Sequence, residues 1–356
     1  MFASLSLPPL ILIFGLAALA VWIAGVRLSE TADVLSMRLH LGEALGGLIL
    51  LAFATNLPEI AITLSAALAH NLDIAVGNIL GGIAIQTVVL VILDVWGAGS
   101  KETLTYKAAS LGLVLEGVLV VALLAVVAMG AQLPGRYSPG GLEPAAIAIA
   151  VVWFAGLYLI GKARTDLPWQ ERGVAPGGQE KPRGHKQQHK ESKATERKVS
   201  TTRATFGFAI AAAVTLVGGV LLERSGEQIA LHIGMNGAVF GATILAAATA
   251  LPEVSTGIEA VRLGDYQLAV SDIFGGNAFL TILFPVAAIV SGAPILARTH
   301  EVDLYLTALG ALLTTVYICG LIFRPRRMIL RMGIDSLVVL IVYALGILGL
   351  FGIVQA

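Results

Sequence analysis

Ten apolar stretches, each long enough to cross a bilayer, recur along the 356 residues, at roughly 7–26, 42–69, 72–94, 106–130, 142–161, 204–222, 229–261, 266–291, 303–323 and 330–354. About 20 apolar residues suffice for one helical crossing. Backbone facing lipid must satisfy its own hydrogen bonds, so the spans are predicted to be helices. The charged fraction is only 13%, where a soluble domain carries about a quarter. The expectation is an all-α integral membrane protein with ten transmembrane helices.

The basic residues orient those spans. With the N-terminus outside, the loops after spans one, three, five, seven and nine face the cytoplasm and hold 20 of the 23 Lys and Arg, leaving Arg136, Arg224 and Arg298 outside. Nine of the 20 lie outside the one long loop, so the positive-inside rule supports both termini outside. The residues before Arg27 carry no basic group and read as a first span rather than a cleaved signal peptide. The long loop, 162–203, is polar and rich in Gly, Pro, Lys and Gln, cannot bury a core, and reads as a cytoplasmic linker. His185 and His189 within it read as part of a solvated tether. Cys319, the single cysteine, permits no intramolecular disulfide. The expected partner is the lipid bilayer, with no nucleic acid.

The linker separates two five-span halves, 1–161 and 204–356, that repeat one another. Residues 47–92 align with 241–286 at a constant offset of 194 without gaps, and 16 of the 46 positions are identical. These include Thr55/Thr249, Pro58/Pro252, Glu59/Glu253, Gly81/Gly275, Gly82/Gly276 and Thr87/Thr281. An odd number of spans per half inverts the second copy across the bilayer. Inverted repeats with Gly/Pro-interrupted helices mark secondary transporters, with the substrate site near the midplane.

The repeated motif carries the chemistry. Pro58 has no N–H for the carbonyl of Ala54, nor Pro252 for that of Ala248, so a kink and a freed carbonyl are expected in each half. Glu59 and Thr55, like Glu253 and Thr249, share a helix face one turn apart. Carboxylate, hydroxyl and carbonyl are hard oxygen ligands suited to Ca²⁺ or Na⁺. The following span adds Asn78 in one half and Asp272 in the other, and Asn277 after the second Gly-Gly pair. An acid at a span centre costs about 2.5–3.5 kcal/mol on insertion scales, so two in equivalent places call for a function beyond holding helices together. Glu116 has Gly310 as its repeat equivalent and falls outside the symmetric set, with a proton path and helix packing both open. Glu259 reads as an interfacial partner of Arg262, and Asp94, Glu143 and Asp335 read as surface residues near span ends.

With Thr55-Asn56-Leu57-Pro58-Glu59 and Gly77-Asn78-Ile79-Leu80-Gly81-Gly82 in one half, and Thr249-Ala250-Leu251-Pro252-Glu253 and Ser271-Asp272-Ile273-Phe274-Gly275-Gly276-Asn277 in the other, the chain resembles the calcium/cation antiporter superfamily, in particular sodium/calcium exchanger-like membrane proteins. The resemblance covers nearly the whole chain and implies a bacterial plasma membrane setting, with inorganic cations as partners. It implies alternating access, with the first spans of the halves sliding against a stationary core, the glutamates ligating Ca²⁺ and the threonines contributing to Na⁺ sites. Ile83 stands where a polar ligand is usual, Ala250 follows the second motif threonine where Asn56 follows the first, and Asp272 stands where Asn is more usual. A proton could replace Na⁺, because desolvated carboxylates bind protons more readily.

The reading is therefore antiport of Ca²⁺ against Na⁺ or H⁺, through a metal site of Thr55, Glu59, Asn78, Thr249, Glu253, Asp272 and Asn277, with no cofactor and no enzymatic step. Na⁺/H⁺ exchange through the same residues is the alternative. A cation channel and an intramembrane hydrolase with paired carboxylates are remoter ones.

Overall fold

The computed structural model describes residues 2–38, 52–96, 102–108, 110–134, 142–163 and 201–355. Most of the expected linker, including His185 and His189, and the start of the second span at 42–51 lie outside the described residues.

The described residues are almost entirely helical. In the first half run α1 (Leu7–Arg38), α2 (Leu57–Leu68), α3 (Leu72–Trp96), the short α4 (Leu104–Ala108), α5 (Leu111–Gly130) and α6 (Pro144–Ala163). In the second run α7 (Thr201–Ile233), α8 (Gly237–Phe240), a π-helical turn (Gly241–Leu245), α9 (Ala246–Thr249), α10 (Leu251–Arg262), α11 (Tyr266–Leu280), α12 (Leu283–Ser291), α13 (Glu301–Phe323) and α14 (Ile334–Gln355). A two-residue-per-strand hairpin, β1 (Met328–Ile329) and β2 (Met332–Gly333), joins the last two helices.

Eight spans are long and apolar enough to cross a membrane, with α11 and α12 counted as one. The segment Gly241–Thr249 with α10, bent by 49°, makes a ninth. The twelve-residue α2 is the repeat partner of α10, which is the place of the tenth. The repeat is written into the backbone itself. The first residues of α1 and α7, of α2 and α10, and of α3 and α11 are each 194 apart, and α2 and α10 have equal length. Even the turn ending α2 and α10 is shared, with His70 at φ 57° and Gly264 at φ 80°.

Burial sorts the spans into centre and rim. In α3, 89% of the most apolar stretch is buried, against 28% in α1, α6 and α7. Ile11, Leu16, Phe154, Tyr158, Phe206 and Leu348 point outward from the rim helices, as lipid-facing side chains should. Lipid tails are as apolar as leucine, so helices in a membrane associate through close van der Waals packing of small residues. Gly81 of α3 shows this: a Cβ there would fall 2.1 Å from the Cα of Ala242 in the π-helical turn. α1 and α7 lie along one another on one side of the molecule.

Two expectations need correction. α7 starts three residues inside the segment assigned to the linker and continues past residue 222 through Glu223, Arg224 and Glu227. Those charges resemble a loop in sequence, yet Glu223 is wholly buried, with Oε2 accepting from Ser65 of a neighbouring helix. Asp94, Glu143 and Asp335 are buried, not surface residues. Glu143 accepts from the backbone N–H groups of Leu296 (2.9 Å) and Ala297 (2.6 Å). Asp94 accepts from the N–H of Leu104 (2.7 Å), the N–H of Gly333 (2.6 Å) and the hydroxyl of Ser336 (2.7 Å). Both carboxylates satisfy loop backbone that lipid could not.

Candidate functional site

Each Pro-Glu motif opens a helix rather than bending one in mid-course. The chain breaks at Asn56 (φ −85°, ψ 12°) and at Ala250 (φ −78°, ψ 0°), and α2 and α10 begin at the next residue. Pro58 and Pro252 thereby fall in a first turn, where a missing N–H leaves no helical bond unmade. Glu59 and Glu253 are the third residues of their helices, at the end where the helix dipole favours negative charge. The kink expected from proline exists, displaced two residues upstream. Thr55 and Thr249 sit just before the breaks, buried, each donating to a carbonyl three residues back, Ala52 at 3.3 Å and Ala246 at 3.1 Å.

The two glutamates are buried near one another. Glu59 is fully buried, and its Oε1 accepts from Nε2 of Gln86 at 3.5 Å. The hydroxyl of Thr249, from the other half, stands beside the same carboxylate. Glu253 is 2% exposed and lies close enough to Glu59 and Asp272 to feel both charges. Among the described residues, Oε2 of Glu59 and both carboxylate oxygens of Glu253 have no hydrogen-bond partner. The side-chain carbonyl oxygens of Asn78, Gln86 and Asn277, all buried, are in the same position. A buried polar atom without a partner costs about 1–3 kcal/mol, and a charged one more. Six such oxygens, three of them from carboxyl groups, are able to ligate a cation.

The other candidates divide. Asn78 binds α3 to α2, with Nδ2 donating to the backbone oxygen of Glu59 at 3.4 Å and to the Thr63 hydroxyl at 3.3 Å. Asn277 donates to the hydroxyl of Thr87 at 3.0 Å, joining α11 to α3 across the repeat. Asp272 is half-buried and sits one step outward, accepting from Thr256 at 3.4 Å. It lines a cleft of about 140 Å³ together with Ser29, Glu30, Thr256 and Glu259. Glu116 is buried on α5. Glu259 pairs loosely with Arg262 at 4.0 Å, as expected of exposed groups.

Gln86 is the residue that reading the sequence missed. Its Nε2 reaches both Oδ1 of Asn56 (3.4 Å) and Glu59, so the position two turns beyond Asn78 faces the site. Ile83, by contrast, is buried, and a Cβ at Gly310 would sit 3.3 Å from it, so it packs towards α13. The available signal was an amide alone in the apolar run 79–93, masked because its repeat equivalent is Leu280.

Comparison with known proteins bears on the fold and the family. The profile described as sodium/calcium exchanger protein matches residues 9–161 and 203–352. The inner membrane protein YrbG of Escherichia coli (strain K12) is 27% identical over 283 residues, 78% of this chain and 76% of YrbG. The crystal structure of the H⁺/Ca²⁺ exchanger CAX superposes with a TM-score of 0.66 at 15% identity, covering 97% of this chain and 87% of that one. The sodium-calcium exchanger NCX_Mj, soaked with Na⁺ and Sr²⁺, gives a TM-score of 0.59 at 14% identity over 95% of this chain and 97% of its own. At such identities the two structures share the fold alone. The match of the family profile to both halves is what assigns the chain, which belongs to the sodium/calcium exchanger protein family.

Proposed function

We propose that the chain is a secondary active cation antiporter that moves Ca²⁺ against Na⁺ or H⁺ by alternating access. Glu59 and Glu253 supply the charge that draws the ion out of water, while Thr55, Thr249, Asn78, Asn277 and the newly recognised Gln86 supply neutral oxygens. Asp272 stands on the access path. The observation that carries this reading is the set of buried oxygens without donors around two carboxylates from opposite halves. A channel would need weaker binding than two desolvated carboxylates give.

The counter-ion follows from charge balance. When Ca²⁺ leaves, two buried carboxylates face each other without compensation, and either Na⁺ ions or protons must take its place. The orientation proposed is both termini outside with residues 162–203 cytoplasmic, supported by the distribution of Lys and Arg.

The test is ⁴⁵Ca²⁺ flux in proteoliposomes under an imposed Na⁺ gradient or, separately, a pH gradient. Coupled flux is expected with at least one of them and not when neither is imposed. Flux that runs without any counter-ion gradient would make the protein a channel.

A further inference from the structure

The packing of α1 and α7 against the motif helices is asymmetric in a way the repeat makes measurable. α7 follows α2 over three successive turns. At Gly219 a Cβ would meet the Pro58 carbonyl oxygen at 3.1 Å and the Ala61 side chain at 2.6 Å. One turn on, Glu223 accepts from the Ser65 hydroxyl at 2.9 Å, with Arg224 at 3.1 Å from the same oxygen. One turn further, Glu227 accepts from Nδ2 of Asn71 at 2.9 Å.

The equivalent seam joins α1 to α10, where the residues 194 away in sequence are Gly25 and Ser29 on α1 and Pro252 and Glu259 on α10. Gly25 makes the matching contact, since a Cβ there would lie 2.5 Å from Cγ of Pro252. Beyond Gly25 the match ends. The Ser29 hydroxyl is buried but has no hydrogen-bond partner among the described residues. Glu259 is exposed and turned to Arg262. Between them lies the cleft that leads in to Asp272.

The residue types explain why these two seams can trade places. Serine and glutamate have changed sides between the repeats: Ser65 and Glu223 in one seam, Glu259 and Ser29 in the other. Each seam therefore holds one hydroxyl donor and one carboxylate acceptor able to form the same bond. We propose that Ser65–Glu223 and Ser29–Glu259 are reciprocal clasps, one at each end of the access path, only one of which is closed at a time. In the state seen here the first is closed and the second is parted, leaving the cleft at Asp272 open towards Glu259.

This inference rests on the alternating-access reading, and cross-linking separates the two because it needs no transport. In a Cys319→Ala background in membrane vesicles, the pairs Ser65→Cys/Glu223→Cys and Ser29→Cys/Glu259→Cys are oxidised with copper phenanthroline, and disulfide yield is followed over time. The first pair is expected to close fast and the second slowly. Adding Ser65→Ala to the second pair should raise its rate by roughly tenfold, the shift expected when a two-state equilibrium loses one charge-assisted hydrogen bond. Ser65→Thr, which keeps the hydroxyl, should leave that rate low. A rate for Ser29→Cys/Glu259→Cys that ignores Ser65→Ala would overturn the clasp, even in a protein that transports. Reciprocal rates in a protein without coupled flux would support the clasp and refute the transport reading.

Discussion

α3 and α11 occupy equivalent places in the two halves and begin 194 residues apart, yet they bring different chemistry to the site. α3 contributes two amides, Asn78 and Gln86, one to brace α2 and one to hold Glu59. α11 contributes an acid, Asp272, at the outer edge, and an amide, Asn277, that ties back to α3. At the place of Gln86 it has Leu280. Duplication fixed the backbone, and the side chains then diverged. Glu59 consequently has a donor while Glu253 has none among the described residues. The two carboxylates are equivalent in position and unequal in environment.

Substitutions that abolish or equalise this difference should act in a definite order. Glu59→Gln or Glu253→Gln removes formal charge from an oxygen site whose affinity follows charge count, so Ca²⁺ affinity in equilibrium binding should fall by roughly a hundredfold or more. Retention of coupled flux in both variants would remove the glutamates from the mechanism. Gln86→Leu gives α3 the residue of α11 and strips Glu59 of its donor. Losing a partner of a ligand commonly costs about tenfold or more, and the apparent Ca²⁺ affinity in flux assays should drop by that order. Asp272→Asn gives α11 the residue of α3. The cleft loses one focusing charge, and the half-saturating Ca²⁺ concentration should rise by about threefold, less at high ionic strength. The smallest effect belongs to the shared turn, where His70 holds a positive φ and its equivalent is glycine. His70→Gly should stabilise the protein by about 0.5 kcal/mol in thermal unfolding in detergent, strain relief being partly offset by added freedom in the unfolded chain.

Much of this architecture is legible in the sequence because membranes restrict it so severely. Span length, the offset of 194 and the paired Pro-Glu motifs follow from hydropathy and self-alignment alone. Pro58 pointed to the right turn but the wrong residue, since the break falls at Asn56, where the chain leaves the helix before the proline rather than after it. Charges near span ends were the least readable. Glu223, Asp94 and Glu143 look like solvated loop residues in a list, and only tertiary contact reveals that each answers a specific donor. Gln86 stayed hidden for the opposite reason, because self-alignment favours what both halves keep and this residue belongs to one.

The three bonds to Asp94 have a practical consequence. One carboxylate at the end of α3 holds the start of α4, the hairpin and the first turn of α14, segments 10 to 242 residues away in sequence. Parts fastened to a single point cannot drift relative to one another while that point holds. Spectroscopic labels at Glu102 and Leu337, flanking this corner, would therefore keep a fixed separation whichever way the site faces. They provide a built-in zero against which displacements of α1 and α7 can be read in ångströms.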